Sequence, residues 1–360
     1  MDSLSNHDLQ VQQFGALLGD RIDPDELIQA VGNDQRSATI ASLVELSRSN
    51  LLVAGSYGDA VEFEHDLVRQ AIIGLIEPDH RQTMHASIAT SLGGLPLGAE
   101  NSASRIAHHW SSAGIHARPE MHRWAIRAGE AALESFVYEE AIRQFLSARK
   151  SASNADERVG PLSGLAHAYQ QTGHEADALE CIREAFDHHM RLGLNQLAIG
   201  IAQMEFVGQS GQIGMVPIYQ DALELAPAGS MSAARIMSCL SRPLGVHLNQ
   251  YSAARELSMK AVDIAKKADD TQLELRILNH AIHIENFGGH SEIAKVHCER
   301  VIELGRGLED PLALSNAHVH LSIYALRVGE IKLAKCHSRR AIEHSLNTHN
   351  SERISSGYKN

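Results

Sequence analysis

At 360 residues the chain is long enough for one large core, or for a short domain followed by a long array. Aromatics are only 4% and prolines number 9, while Ala, Leu and Ile dominate the apolar set; this favours helices packed through small residues over a β-sandwich. The formal net charge of −12 argues against a broad nucleic-acid or anionic-membrane surface, and the four cysteines (Cys181, Cys239, Cys298, Cys336), with no CxxC pair, read as reduced, mostly buried thiols of a cytoplasmic protein.

The first residues, MDSLSNHDLQ, have neither a basic n-region nor an apolar h-region, so no signal peptide is expected. No apolar run approaches about 18 residues, so no membrane span is expected either. Leu9, Val11, Phe14, Leu17 and Leu18 predict a first helix that Gly19 can end. Asp23 is a plausible N-cap for a second, with Pro24 at its first position and Asp25 and Glu26 in its first turn. Leu27, Ile28 and Val31 form its apolar face and Gly32 ends it. A third helix is predicted over Ser37 to Ser47, with Ile40, Leu43, Val44 and Leu46 inward. Leu51 to Val53, a turn from Gly55 to Asp59, and Val61 to Phe63 read as a β-hairpin. Three helices followed by a two-stranded wing describe a winged helix.

A winged helix often reads DNA, and charge tests that. Residues 1–70 hold twelve acids against Arg21, Arg36, Arg48 and Arg69, and the span Ser37 to Ser47 contains no Lys or Arg. A recognition helix must meet phosphates, so this domain is expected to pack against protein, with no direct DNA binding.

Next comes a helix from His65-Asp66 whose apolar face is Leu67, Val68, Ala71, Ile72 and Leu75. Pro78 breaks it, and another helix follows from about Arg81 to Leu92. Residues 93–104, rich in Gly and Ser, mark a boundary or bend. From Ser104 onward a pattern recurs. Small residues stand at Ala141, Ala178, Ala254, Ala294 and Ala334, with Ile218 in the same place of an intervening unit. Four residues on stand Phe145, Ile182, Ser258, Cys298 and Ser338. Seven on stand Ala148, Ala185, Ala261, Val301 and Ala341. The last two steps are both 40 residues, and HSEIAKVHCERVIE from His290 aligns with EIKLAKCHSRRAIE from Glu330. A fixed period near 40 with a helix-turn-helix per unit is the mark of a helical solenoid. The alanines let paired helices approach closely, so these residues are read as core.

The expected architecture is therefore mostly α: a winged-helix-like domain with a small β-hairpin (1–75), a connecting helix and linker (76–103), TPR-like α-α superhelical repeats (104–350) and a tail (351–360). Solenoids commonly bind on the concave face, which the first helix of each pair lines. The last helix, Ile331 to Leu346, carries Leu333, Cys336, Ile342 and Leu346 to bury, and either self-association through it or a partner that covers it is expected. The 22 histidines are read as a compositional habit. His280 and His283 share a helix face and His108 and His109 are adjacent, but no HExxH accompanies them, and no metal or cofactor is expected.

Leu162, Leu165, Ala166 and Tyr169, ahead of Ala178, give the unit that most closely resembles a tetratricopeptide repeat (TPR). The chain as a whole resembles the C-terminal half of STAND-type signal-transduction ATPases, nearest to the ATP-binding LuxR/MalT-like bacterial regulators. The residues that carry this are Phe63, His65, Leu67, Val68, Arg69 and Ala71, similar to F-x-H-x-L-V-R-x-A; Arg81, His85, Ile88 and Ala89, similar to R-x-x-x-H-x-x-I-A; and Ala107 to Trp110 with Ala113-Gly114. The stretch Ala131 to Ala148 resembles the family's first repeat. Glu64-His65-Asp66 also resembles the MHD motif of related NB-ARC switches, which implies for His65 a contact to the β-phosphate of bound ADP. Read from the residues alone, His65 can equally cap a helix or pack under the wing.

The sequence contains no GxxxxGK[ST] and no apolar run ending in paired acids, so no ATP hydrolysis by this chain is expected. What the resemblance implies is a non-catalytic regulatory or sensor module that binds a protein or an inducer, as a truncated or split gene product of a STAND-type regulator. The alternatives are a free-standing TPR-type adaptor and the detached C-terminal half of a class III nucleotide cyclase. An enzyme using the His-rich surface with a metal is the reading from another class.

Overall fold

A computed structural model describes residues 5–55, 60–95, 103–206 and 208–346. The chain divides into two compact units, Met1–Thr172 and Gly173–Asn360. The turn Ser56–Asp59, most of the Gly- and Ser-rich linker and the tail lie outside the described residues.

The first unit opens with α1 (Asn6–Leu18), β1 (Arg21–Ile22), α2 (Pro24–Val31), α3 (Arg36–Arg48) and the strands β2 (Leu52–Ala54) and β3 (Val61–Phe63). Ser5 and Asp8 form a capping box on α1, and Asp8 also accepts a hydrogen bond from Ser42 of α3 at 2.6 Å. Those hydroxyl contacts hold the Asp8 carboxyl below its ordinary range. Asp23 caps α2 through the amides of Asp25 and Glu26, with Pro24 at the first position as expected. The sheet is antiparallel with order β1-β3-β2, and β3 is central: Val61 lies opposite both Ala54 and Ile22. The short β1 has no alternating pattern long enough to announce it, and it forms because β3 offers it an edge.

Then follow α4 (Asp66–Leu75), α5 (Pro78–Gly93), α6 (Ala103–Ser112), α7 (Arg118–Glu134), α8 (Tyr138–Ser151), α9 (Ala155–Val159) and α10 (Leu162–Gln171). One apolar core joins Phe14 and Leu17 of α1 and Leu27 of α2 to Ile88 and Leu92 of α5, Ile106 of α6 and Trp124 of α7. Arg69, a residue of the family-like motif, clamps α4 to the end of α1: it meets Asp20 at 2.9 Å and donates to the Ala16 carbonyl. Arg105 of α6 does the same for α2 through Glu26 at 2.8 Å.

Two inward assignments are corrected. On α3, Leu43 and Leu46 are buried, but Ile40 and Val44 are 44% and 46% exposed. Their places are taken by Thr39 and Ser42, whose hydroxyls are satisfied by the Gln35 carbonyl and by Asp8, so burying them costs little. On α4, Leu67 and Leu75 are exposed and only Ile72 is buried. Helical spacing alone does not say which stripe meets the core.

The second unit contains α11 (Glu175–Arg191), α12 (Asn195–Ala202), α13 (Gln209–Leu225), α14 (Met231–Val246), α15 (Tyr251–Lys267), α16 (Thr271–Phe287), α17 (Ser291–Gly307), α18 (Pro311–Arg327) and α19 (Ile331–Leu346). The last six form three helical hairpins, and the expected mostly α, TPR-like repeat fold is the fold observed. Ala178, Ala254, Ala294 and Ala334, the small residues of the repeat, are all buried, as are Ala141 and Ala148 of the first unit. Close approach is literal at Gly245 of α14, where an added Cβ would lie 3.0 Å from both Ala254 of α15 and Ile284 of α16. The period is written into the turns as well. Asn249, Gly289 and Gly329, each 40 residues apart, take positive φ between first and second helices; Asp269 and Glu309 do so between hairpins. Cys181, Cys239 and Cys298 are buried free thiols and Cys336 is exposed.

Candidate functional site

Helix α16 is the middle first helix of the three hairpins, with α14 on one side and α18 on the other. Most of its length is buried, and even Glu274 and Glu285 are covered at 3% exposure. Arg300 of α17 holds Glu274 in a two-pronged pair, 2.9 and 3.2 Å, while Arg255 of α15 holds Glu285 at 3.2 Å. Between its two ends, where Thr271 and Phe287 are exposed, α16 leaves accessible a polar stripe: Gln272, Arg276, Asn279, His283 and Asn286, at helical spacing.

Four members of that stripe, Gln272, Arg276, Asn279 and His283, line a groove of about 460 Å³ together with Arg242 of α14, Asp310 and Asn316 at and in α18, and Gln203 and Glu205, which follow α12. Its members are held by neighbours across the helices. Asn316 donates to Asn279 at 3.2 Å and His283 meets His320 edge to face at 4.6 Å, while beyond the groove the Asn286 amide lies 3.1 Å from His320 Nδ1. Arg276 lies 3.7 Å from Glu205, both about half exposed. Burial, with Arg242 and Arg327 nearby, pushes His320 down to about 4, so the imidazole is neutral near pH 7. His280 is a buried part of the groove lining, 2.9 Å from the Ser238 hydroxyl, and burial lowers its pKa too. The groove therefore presents amides, imidazoles, guanidinium groups and the carboxylates of Glu205 and Asp310. Such a surface matches the alternating N–H and C=O groups of an extended backbone, because a carboxamide can donate and accept at once.

His280 and His283, linked in the sequence only by a shared face, both reach the groove, His280 buried against Ser238 and His283 half-buried beside His320. Among the described residues no group of three or more His, Cys, Asp or Glu side chains could hold a metal ion. The histidines of the two family-like motifs find each other in the first unit. His85 Nδ1 lies 2.9 Å from His109 Nδ1, and burial lowers them to about 4 and about 3. His65 is the N-cap residue of α4, exposed, and its side chain makes no capping hydrogen bond. Apart from His280 and His283, the groove residues escaped the sequence reading because no motif distinguishes Asn279 or Asn316. Their one signal is a five-membered polar stripe on a helix otherwise too apolar for solvent.

No family model and no curated protein matches the sequence. Among solved structures, the chain is similar to a Signal Transduction ATPase with Numerous Domains (STAND) that carries a tetratricopeptide repeat sensor, from Pyrococcus horikoshii, at 12% identity and a TM-score of 0.44; the match covers 99% of this chain and 62% of that one. It is similar to the apo quorum sensor NprR of B. thuringiensis at 13% identity, TM-score 0.49, over 90% of this chain and 89% of that one. A Rap protein complexed with Competence and Sporulation Factor matches at 14% identity, TM-score 0.47, over 97% and 96%. The chain thus spans under two thirds of the STAND protein's length. The chain is a TPR-like helical repeat protein. Among the described residues no helix is long and apolar enough to cross a membrane.

Proposed function

We propose that the chain is a non-catalytic sensor module whose second unit holds an extended peptide segment, from a partner protein or an inducer, in the groove across α14, α16 and α18. The α16 stripe carries this reading. A helix buried over most of its other faces has no folding reason to keep four polar residues, Gln272, Arg276, Asn279 and His283, aligned toward one groove, and two amides already paired at 3.2 Å can reach a backbone without first being ordered. The finer assignment, a STAND-type, LuxR/MalT-like regulator with a winged helix before its repeats, rests on the motifs of Phe63 to Ala71 and Arg81 to Ala89 and on the helix-strand-helix-helix-hairpin order of the first unit. In such a regulator the exposed His65 is the residue that would face a nucleotide phosphate. Arg36 and Arg48 end α3, and Arg36 is engaged by Asp25 at 3.0 Å, so α3 offers phosphates little and no direct DNA binding is proposed. Ile331, Leu333 and Leu346 of α19 are exposed, the face through which self-association is proposed.

The test is selection of a random-sequence displayed peptide library on the purified chain, with the Asn279→Ala/Asn316→Ala variant as counter-target. Enriched peptides should lose about tenfold or more in affinity for the variant while its helical circular dichroism is unchanged. Peptides that bind both proteins equally would remove the groove from the proposal.

A further inference from the structure

On the far side of the same hairpins lies a second cavity, of about 380 Å³, between α15 and α17 with α16 as its floor. Leu278, Ala281 and Ile284 make the floor, and Met259 and Val296 stand at the rim, 50% and 60% exposed. Its origin is visible in the 40-residue repeat. In the next hairpin His337 of α19 is met by His318 of α18, Nδ1 to Nδ1 at 3.0 Å. One repeat earlier the same two positions are His297 and Leu278. Leucine cannot accept the hydrogen bond, so His297 has no hydrogen-bond partner among the described residues, and the space beside it stays open to solvent. Burial lowers the His297 pKa, which keeps the ring neutral and leaves it one donor and one acceptor nitrogen.

Charge at both ends of the cavity is already matched. Glu285 takes Arg255 at 3.2 Å and the Tyr251 hydroxyl at 2.5 Å. Glu274 takes Arg300 at 2.9 Å, with Lys266 at 3.9 Å. The exposed Asp263 at the mouth adds a negative charge. A ligand carrying an anion would meet these carboxylates with no cation left uncommitted. An apolar floor, one free imidazole and neutralised ends fit the usual make-up of a small-molecule site, which holds few polar groups and falls at about 300–1,000 Å³.

We propose that this cavity is a ligand site for an uncharged, mostly apolar small molecule that makes one hydrogen bond to His297. It is separate from the peptide groove and does not depend on it.

The probe is N-phenyl-1-naphthylamine, uncharged with a single N–H, set against 8-anilinonaphthalene-1-sulfonate, the same skeleton with a sulfonate. Fluorescence titration should show saturable 1:1 binding of the amine, with the sulfonate about tenfold weaker. His297→Phe should weaken the amine about tenfold, and Val296→Trp, a change at an exposed rim position, should block it. No saturable binding, a sulfonate as tight as the amine, or binding indifferent to Val296→Trp each overturns the proposal. Thermal unfolding of both variants within a few degrees of wild type shows that the loss is at the site.

Discussion

Two consecutive hairpins of one repeat are built from different materials. In α16/α17 the joint is apolar: Leu275, Leu278 and Ile282 pack on Cys298, Val301 and Leu304. In α18/α19, 40 residues on, the equivalents of those three α16 residues are Ser315, His318 and Ser322, and the joint is a polar zipper. Ser315 shares a hydrogen bond with Ser345 at 2.7 Å and donates to the Ala341 carbonyl; Ser322 shares one with Ser338 at 2.8 Å and donates to the Ala334 carbonyl; His318 meets His337. The backbone repeats because the alanines and the positive-φ turns repeat. What fills the crossing need not, provided each buried polar group finds a partner. The apolar joint packs Leu275, Leu278 and Ile282 without a titratable partner, whereas the polar joint contains an imidazole pair and is sensitive to protonation.

The widest gap between the two should appear on truncation at one repeat position. Ile282→Ala, at a fully buried apolar site, is expected to cost about 3–4 kcal/mol, while Ser322→Ala is expected to cost about 1 kcal/mol, the worth of one hydrogen bond. Local hydrogen exchange read by mass spectrometry over α16/α17 and α18/α19 measures each. Equal costs would mean that the two joints are energetically alike despite their chemistry.

Acid should separate them next. Burial and the neighbouring His337 and His344 lower His318 from 6.5 to about 4. The folded form thus binds a proton less readily than the unfolded chain. The stability this neutral imidazole contributes is complete above about pH 6.5 and is lost as pH falls toward 4. Since part of the environment is solvated, about 1–2 kcal/mol is expected to go between pH 7 and pH 4.5. Arg306 and Arg340 also bear on His318 and act in the same direction. Exchange protection in α19 should therefore fall over that interval, and His318→Leu, which installs the residue of the preceding repeat, should flatten the dependence. A wild-type profile already flat would show that the imidazole pair is not what acid attacks.

A smaller effect on folding, with a large one on binding, is expected in the groove. Asn279 and Asn316 line the open groove, so their alanine variants should shift stability by about 0.5 kcal/mol or less while weakening peptide binding about tenfold or more. A large stability loss would recast the amide pair as part of the joint. The smallest effect belongs to the outer face of α19. Leu333→Asp, at a residue 45% exposed, should leave the melting temperature nearly unchanged and abolish any concentration-dependent mass seen by light scattering.

Legibility followed the physics of each feature. The alanines at 254, 294 and 334 could be read because close helix crossing admits only small residues, so spacing alone exposes them. The caps at Asp23 and Gly32 could be read because their hydrogen bonds are local. Ile40, Val44, Leu67 and Leu75 could not, because an amphipathic spacing gives a stripe without saying what will cover it. The α16 groove stayed hidden for the same reason: Gln272, Arg276 and Asn279 look like any solvated helix face until α14, α15, α17 and α18 close over the rest.

The sequence by itself determined the period, the helices, the small residues at each crossing and the motif that places His65 at a strand-to-helix junction, because those depend on neighbours a few residues away. Only the tertiary structure decided that His65 is exposed, that β1 pairs with β3, that Asn279 meets Asn316 across a groove, and that Leu278 leaves His297 without the partner its counterpart has. Each of these depends on which distant side chain arrives at a given place, and the local pattern carries no record of that.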